Sequence, residues 1–369
     1  MKSDYYIMWL SHIKGIGIKK INKLIEYFGR AEEIYKAEKS DLKAALNEED
    51  ASNIIKSAKD GSLDYLVKNL RKAGAEYISM YNDAFPEGLK SIDDIPSGIY
   101  YKGKLPDKNA VLVSMVGSRR CTEYGKQAAL KLSGDLAERG VSIVSGLADG
   151  IDSYSHIGAL RHKGITIAVM GTSIDRCYPA ANISLMEEII KNDGCIISEY
   201  GPYRQTYASD FVRRNRIIAG MSRALIVVEA EFKSGTSSTV DAALKYGREV
   251  LAVPGSIFNK YSEGTNALIR DGCHPALSFE DILNEIGIEK VKSADCRKNN
   301  IDLEDIDEEG RKIIKFLSEG EKDFETLWEE TGIDKSKIMT ELTILEIENL
   351  FKKCPGRDID WYFRRYASV

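Results

Sequence analysis

The sequence has little of several features that mark other classes of protein. Its 369 residues include four histidines and six cysteines, and no two cysteines form a C-x-x-C pair. This excludes the common zinc-site spacings and favours reduced thiols buried in the fold. No apolar run reaches the roughly 18 residues of a membrane span, so we expect none. We also predict no bound cofactor and no metal site.

An excess of positive charge is also missing. The net charge is −5, from 52 Lys and Arg against 57 Asp and Glu. This excludes a general basic coat, so any nucleic-acid surface must be local. The first residues have no long apolar core and no cleavage site, and we therefore expect no signal peptide and a soluble, cytoplasmic protein.

The length predicts two or three domains. Changes in the spacing of apolar residues along the chain predict four segments. They are a helical domain at residues 1–75, a sheet domain at 76–287, a polar linker at 288–305 and a winged helix at 306–369. Acidic residues dominate the third helix of the winged helix. We therefore expect a protein-docking or weak duplex-binding module there as readily as a sequence reader.

Residues 13–17, with the sequence IKGIG, resemble the hairpin of a helix-hairpin-helix motif, in which glycines expose backbone N–H groups to a phosphate. Residues 1–30 carry six Lys or Arg against two Asp or Glu, which suits such a contact. Because G-x-G turns between helices are common, a helical packing domain that touches no DNA is an equal alternative.

Residues 111–152 form the unit around which the central domain is predicted to fold. An apolar, β-branched run at 111–116 and a second at 141–144 flank a helix that stops at Gly140. Two buried strands joined by one helix predict a parallel pair. The alternation continues with a helix near 183–191 and strands at 76–80, 166–170, 195–198, 225–228 and 250–253. The fold class is therefore α/β, a Rossmann-like doubly wound, mostly parallel sheet.

Glycine-rich loops follow the first two strands of this unit, at residues 117–119 and 145–150. In such sheets the loops at the carboxyl ends of the strands line the ligand crevice. Glycine lets a backbone approach a phosphate, and helix-start N–H groups and an arginine favour an anion. Ordinary turns are the alternative for either loop alone, but two loops in register favour an anion site.

Two further segments are predicted to face the same crevice. One is the basic run at 211–216, where Phe211 offers a ring for stacking on a base. The other is the small-residue helix start at 234–239. His156 has no partner nucleophile in a recognisable motif, so we interpret it as a hydrogen-bonded structural residue. The predicted phosphate and single-strand site comprises Gly117, Ser118, Arg119, Gly146, Phe211, Arg213, Arg214, Asn215, Arg216, Ser234, Gly235 and Thr236.

Many ordered motifs between residues 76 and 285 resemble the DNA-processing protein A family, also called Smf. They include GSR at 117–119, SGLADGID at 145–152, RNRIIAG at 214–220, PG at 254–255 and GTNALI at 264–269. The resemblance implies a Rossmann-like protein that binds single-stranded DNA, protects incoming strands and loads the RecA recombinase during natural transformation. It implies no catalysis, no cofactor and a homodimer formed through the sheet domain. Single-strand-binding protein is a further candidate partner.

By this resemblance Gly117, Ser118 and Arg119 hold backbone phosphates. Gly146, Arg213, Arg214 and Asn215 line the same pocket. This chain departs from the usual pattern at Val212, Asp149 and Ala180, and its 234–239 segment is unusually polar.

Two alternatives remain open. The sheet also suits phosphoribohydrolases of the lysine-decarboxylase-like group, but the catalytic glutamate of their Pro-Gly-Gly-x-Gly-Thr segment is absent after residues 234–239, where Asp241 is the nearest carboxylate. In the other alternative the crevice holds a small nucleotide and the winged helix acts as a regulator. This nucleotide alternative and the single-strand interpretation use the same phosphate loops, at residues 117–119 and 145–150.

Overall fold

The computed structural model describes residues 2–232, 234–288, 312–313, 322–335, 337–338, 351–353 and 360–363. The chain forms two compact units that divide between residues 294 and 295. The predicted linker at 288–305 lies outside the described residues except for Ile288. Across the described residues, every helix is too short or too polar to span a lipid bilayer.

Six short helices cover residues 3–72. They are α1 Ser3–Ser11, α2 Ile18–Phe28, α3 Ala31–Lys36, α4 Lys39–Ala45, α5 Glu48–Lys59 and α6 Ser62–Lys72. Helix α2 buries Ile21 and Leu24 on its predicted apolar face and ends at Gly29, whose φ of 76° favours glycine. Lys20 in the first turn of α2 donates through Nζ to the Gly15 carbonyl of the preceding hairpin at 2.8 Å and pairs with Asp50 at 2.5 Å.

The sheet of the first unit has nine strands within residues 76–275. They are β1 Glu76–Ser79, β2 Gly98–Gly103, β3 Leu112–Val116, β4 Ser142–Ser145, β5 Thr166–Met170, β6 Cys195–Ser198, β7 Ala224–Val227, β8 Glu249–Ala252 and β9 His274–Pro275. The helices around it are α7 Glu87–Lys90, α8 Glu123–Ala137, α9 Ile151–Arg161, α10 Ile183–Lys191, α11 Ala208–Met221, α12 Ser237–Lys245, α13 Glu263–Arg270 and α14 Phe279–Glu285. Strands β4 to β7 are buried along their whole length, as expected for a parallel sheet covered on both faces.

The strand order is β1-β2-β6-β5-β4-β3-β7-β8-β9, and all pairs from β6 to β9 are parallel. The predicted doubly wound, mostly parallel sheet is therefore confirmed. Because the chain runs outward from β3 to β6 and then returns to place β7 on the other side of β3, the order reverses between β3 and β7. A crevice is expected at the carboxyl ends of these two strands.

The sequence-based boundaries of the strands agree with the structure to within one residue, but two strands were not predicted. Strand β2 lies between β1 and β6 and is antiparallel to both, in a segment for which no strand was predicted. Strand β9 has two residues and includes a proline. A strand that short gives no periodic signal.

The second unit contains, in its described residues, one full helix and three strands. They are β10 Lys322–Asp323, α15 Phe324–Thr331, β11 Phe351–Lys353 and β12 Asp360–Phe363. The strands form an antiparallel sheet in the order β10-β12-β11. Helix α15 lies within the segment predicted as a winged helix, and the predicted third helix lies mostly outside the described residues. The winged helix, like the three boundaries between the predicted segments, stays a prediction.

A carboxylate joins the helical segment to the sheet. Asp4 on α1 accepts hydrogen bonds from the Ser79 N–H at 2.9 Å, the Ser79 hydroxyl at 2.6 Å and the Asn82 amide at 2.9 Å. These bonds fix the first strand against α1, because they satisfy a backbone donor at the end of β1.

We expect Asp4→Ala to lower the free energy of unfolding by about 2 kcal/mol, since it leaves part-buried donors without an acceptor. Guanidinium unfolding of the full chain measures this change. Asp83→Ala is the matched control, because Asp83 is exposed in the following turn and should be neutral within about 0.5 kcal/mol. Equal effects of the two changes would contradict the role given to Asp4.

Candidate functional site

A crevice of about 440 Å³ lies at the carboxyl ends of β3 and β7, where the strand order reverses. Its walls come from the loops after these strands and from α11 and α12. The predicted site residues that line it are Gly117, Ser118, Arg119, Phe211, Arg214, Asn215, Ser234, Gly235 and Thr236. The structure thus brings together most of the predicted residues.

The loop after β3 is held in place by Glu229, which follows β7. The Glu229 carboxylate accepts hydrogen bonds from the Thr122 N–H at 2.8 Å and the Thr122 hydroxyl at 2.6 Å. Its backbone carbonyl accepts from the Ser118 N–H at 2.7 Å. A Cβ on Gly117 would lie 2.8 Å from that carbonyl, so a side chain there would push the loops apart.

These contacts change which groups of the loop are expected to bind an anion. The Ser118 N–H is bonded to Glu229, and Thr122 caps helix α8 through its hydroxyl, which accepts from the Gly125 N–H at 3.2 Å. Several backbone donors of the loop and of the α8 start are therefore already used, and the loop offers the Arg119 and Arg120 side chains as its charged donors.

Arg119 and Arg120 are the exposed cations of this loop. Both line the crevice, and neither side chain forms a hydrogen bond or ion pair with another described residue, although the Arg120 N–H donates to the Ser118 hydroxyl at 3.1 Å. An arginine without a protein partner keeps its donors for a ligand and matches the geometry of a phosphate. Arg120 was missing from the sequence-based site because only Arg119 belongs to the GSR motif.

Arg214 is buried at the floor of the crevice beside Asp152. Its Nη1 donates to the Gly146 carbonyl at 2.7 Å and to the Val169 carbonyl, so it joins α11 to the ends of β4 and β5. Burial lowers the pKa of Arg214 to about 10, which leaves it charged at neutral pH. Burial also raises the pKa of the Asp152 carboxyl, although the charge of Arg214 opposes this rise.

Helix α12 begins at the crevice wall opposite Arg119. Its N-cap Thr236 makes no side-chain capping bond, and its first turn contains no acidic residue. The Asn215 amide donates to the Ser238 hydroxyl at 2.8 Å and fixes this helix start against α11. The Ser237 and Thr239 N–H groups donate to the Ser234 and Thr236 carbonyls, so this helix start favours an anion chiefly through the helix dipole.

An aromatic pair lies at one end of the crevice. The rings of Phe211 and Tyr178 are tilted by 57°, and their centroids are 5.4 Å apart. Phe211 is half-buried over Gly171, whereas Tyr178 is 53% exposed. The exposed ring faces offer a stacking surface for a base.

Three predicted site residues do not line the crevice. Gly146 lies below it, where a Cβ would come within 2.5 Å of Asp152 Oδ2 and 2.9 Å of Arg214. Arg213 and Arg216 point to the other side of α11 and pair with Glu199 at 3.3 and 2.5 Å. Arg213 is largely exposed, but Arg216 is buried.

The crevice also has carboxylates, and each is near a cation. Glu231 forms an ion pair with Lys260 at 3.0 Å, and Asp152 lies near Arg214. Arg119 and Arg120 therefore give the mouth an excess of positive charge. Within the described ranges, no group of His, Cys, Asp or Glu side chains is arranged to hold a metal ion.

His156 is fully buried on α9 and has the structural surroundings that the sequence predicted. Its Nδ1 is 2.7 Å from the Thr166 hydroxyl, which donates to the Ile143 carbonyl at 2.8 Å. Nδ1 must therefore carry the hydrogen and donate to Thr166. Nε2 has no hydrogen-bond partner, and burial followed by the charge of Arg214 lowers the pKa of His156 to about 3.

Comparison with known proteins gives a family match over the sheet. The sequence profile of the family DNA recombination-mediator protein A matches residues 76–287. The chain is 43% identical over 207 residues to DNA processing protein DprA of Streptococcus pneumoniae, covering 56% of this chain and 73% of the relative. It is 31% identical over 278 residues to Protein Smf of Escherichia coli, covering 74% of each.

Solved structures agree with the sequence comparison. DNA processing protein A (DprA) from Streptococcus pneumoniae superimposes with a TM-score of 0.67 at 35% identity, over 77% of this chain and 99% of that one. DNA processing protein A from Helicobacter pylori, whose structure was described for its single-stranded DNA binding mode, gives a TM-score of 0.52 at 29% identity. That match covers 59% of this chain and 99% of the other.

The buried neutral state of His156 predicts a pH dependence of stability. Between pH 6.5 and about 3 the unfolded chain binds a proton at this residue that the folded chain does not. The free energy of unfolding should therefore fall on acidification below pH 6.5, by up to about 1.4 kcal/mol per pH unit from this group. Guanidinium unfolding at pH 7, 6 and 5 measures the slope.

His156→Gln should flatten this slope, because glutamine does not titrate, even if it lowers stability at pH 7. His162→Gln is the matched control. His162 is the exposed C-cap residue of α9, and it contacts Glu138. The assignment is wrong if His156→Gln keeps the wild-type slope between pH 7 and 5.

Proposed function

The chain belongs to the DNA recombination-mediator protein A family, and we propose that it is a single-stranded DNA-binding recombination mediator whose crevice holds the DNA backbone. The observation that carries this proposal is the pair of unpartnered arginines, Arg119 and Arg120, at the mouth of the crevice. They face the uncapped start of α12 across a cavity that admits a phosphodiester.

Binding without sequence preference follows from the chemistry of this crevice. The arginines and the helix start offer charge and donors to phosphates, which every nucleotide carries. The Phe211 and Tyr178 rings offer a stacking surface, and every base has a face that stacks. These groups also suit a single strand better than a duplex, because bases in a duplex are already stacked.

We propose binding without catalysis in this crevice. The segment at 234–239 is not followed by a glutamate in the position that a phosphoribohydrolase uses, and Asp241 lines a separate cavity beside α13. The crevice carboxylates Asp152 and Glu231 lie next to Arg214 and Lys260.

Family membership also supports the partners in this proposal. They are the RecA recombinase, which the protein would load on incoming strands during natural transformation in the cytoplasm, single-strand-binding protein, and a second copy of this chain bound through the sheet domain. The apolar side chains of Ile257, Phe258 and Leu277 are 80%, 94% and 69% exposed after β8 and β9. Such exposed groups near the sheet edge support a protein contact there.

The first test is fluorescence-anisotropy binding of a labelled oligothymidine at several salt concentrations, beside a duplex of equal length. We expect the single strand to bind more tightly, with a salt slope of about 0.7 per phosphate neutralised. Arg119→Ala should weaken binding about tenfold and lower the slope by about one phosphate, because it removes a charged hydrogen bond.

Arg161→Ala is the matched control for Arg119→Ala. Arg161 is an exposed arginine at the end of α9, which runs away from the carboxyl edge of the sheet, so its loss should leave binding unchanged. If the protein binds neither polymer, or if Arg119→Ala binds like wild type, the crevice is not the DNA site. A screen of small nucleotides is then the next experiment.

Phe211 tests the stacking part of the proposal separately. Phe211→Leu should weaken oligothymidine binding by about 1 to 3 kcal/mol, which is the worth of one base stacked on an aromatic ring. The salt slope should stay the same, because no phosphate contact is lost. Phe211→Tyr keeps the ring and should bind like wild type, and an unchanged affinity in Phe211→Leu would rule out stacking at this residue.

A further inference from the structure

Three tyrosines lie beside the crevice, at the edge of the sheet where β5 and β6 end. They are Tyr178 in the loop after β5, Tyr203 in the loop after β6 and Tyr207 at the start of α11. Their side chains are 53%, 51% and 52% exposed. A single exposed tyrosine is ordinary, but three in adjoining segments beside a candidate site indicate a binding surface. We name these three residues, together with Phe211, the aromatic row.

The aromatic row continues from the crevice. Phe211 lines the crevice, and its ring centroid is 5.4 Å from that of Tyr178. Tyr207 is the N-cap of α11, four residues before Phe211. One turn, or about 6 Å along the helix axis, therefore separates these two residues. The three tyrosines do not line the crevice itself, so they lie beyond its end.

Tyr203 is held in a backbone conformation that tyrosine seldom adopts. Its φ is 63°, in the left-handed region that favours glycine. Its N–H donates to Asp175 Oδ1 at 3.0 Å, and Asp175 belongs to the loop that carries Tyr178. Strained residues of this kind cluster at ligand sites, where the surrounding fold holds them. The two loops are therefore fixed to each other, and each presents a half-exposed ring.

Cations lie against the outer rings of the row. Lys72 Nζ, at the end of α6, is 5.6 Å from the centroid of the Tyr203 ring, and the Arg204 guanidinium carbon is 5.6 Å from that of Tyr207. Asp210 pairs with Arg204 at 2.7 Å, so the charge of this arginine is already balanced. Lys72 is exposed and forms no ion pair with any residue that the structure describes. Lys72 is therefore available to a phosphate.

The loop after β5 adds a second available cation. Arg176 is exposed two residues before Tyr178, and its side chain forms no hydrogen bond or ion pair within the described part of the chain. The neighbouring carboxylate, Asp175, accepts from the Tyr203 N–H instead. Aromatic rings on which successive bases stack, bordered by cations, are the means by which proteins bind single strands without reading sequence. The aromatic row has both.

We propose that the aromatic row binds the nucleotides that adjoin those held in the crevice. Their bases stack on Tyr207 and Tyr203, and their phosphates contact Lys72 and Arg176. This proposal rests on the proposed function, because the row continues a crevice that is assigned to the strand. The tyrosines of the loop after β6 then determine how long a segment of single-stranded DNA the protein covers.

The test compares two lengths of labelled oligothymidine by fluorescence anisotropy. An oligomer of about 4 nucleotides is held by the crevice alone, whereas one of about 16 also reaches the row. Tyr207→Leu and Tyr203→Leu should each weaken binding of the long oligomer about tenfold, because each removes the partner of one stacked base. Both variants should bind the short oligomer like wild type. The proposal is overturned if both bind the long oligomer like wild type.

Phenylalanine variants are the matched controls. Tyr207→Phe and Tyr203→Phe keep the rings, so they should bind both oligomers like wild type. The short oligomer also reports whether each leucine variant keeps an intact crevice, and an equal loss at both lengths would contradict a separate row. Lys72→Ala should lower the salt slope of the long oligomer by about 0.7, or one phosphate, and leave that of the short oligomer unchanged. An unchanged slope at both lengths would contradict the phosphate contact.

Crosslinking locates the bases directly. A single 5-iodouracil is placed at successive positions of an oligomer of about 16 nucleotides and irradiated, so that it joins covalently to an aromatic ring stacked on it. We expect crosslinks to Tyr207 and Tyr203 from positions next to those that crosslink to Phe211. Crosslinks to Phe211 with none to the tyrosines would overturn the proposal.

These measurements separate this proposal from the proposed function. If Arg119→Ala weakens binding at both lengths while the leucine variants bind like wild type, the crevice holds the strand and the row proposal alone fails. If the leucine variants weaken binding of the long oligomer while Arg119→Ala has no effect at either length, the crevice proposal alone fails.

Discussion

The buried guanidinium of Arg214 is the interaction on which the shape of the crevice depends. It reaches from α11 to the carbonyls that end β4 and β5, and it lies beside the buried Asp152 of α9. Taking two charged groups out of water is costly, so their arrangement persists only because each is compensated by the other and by backbone acceptors. Gly146 is glycine because a Cβ would clash with both groups. The same pair therefore fixes two strand ends, the start of α9 and the middle of α11 under the crevice.

The arginines of this protein consequently have separate roles that their sequence positions do not show. Arg214 and Arg216 are buried and bonded within the fold, whereas the Arg119 and Arg120 side chains are exposed and form no hydrogen bond or ion pair with a described residue. A ligand anion contacts Arg119 and Arg120. Arg214 and Arg216 stabilise the fold around these two exposed side chains. This division lets an acidic chain with a net charge of −5 keep a local site for a polyanion.

The sequence predicted the fold well because buried strands give a strong signal. Runs such as 111–116 and 166–170 are apolar and β-branched, and their boundaries agree with β3 and β5 to within one residue. The pairing of the β3 and β7 loops was harder to predict, because it depends on which strand returns to which side of β3. The sequence analysis assigned the loops after β3 and β4 and residues 234–239 to one crevice, whereas Gly146 of the β4 loop lies below it. Glu229, which holds the β3 loop, is separated from it by about 110 residues of sequence, and no local pattern reveals such a contact.

The basic run at 211–216 shows why a cluster in the sequence is not a cluster in space. On a helix, residues i, i+3, i+4 and i+7 share one face, and Phe211, Arg214, Asn215 and Ile218 all line the crevice. Arg213 and Arg216 lie on another face and pair with Glu199. One helix therefore presents one row of side chains to the crevice and another row to the carboxylate that follows β6.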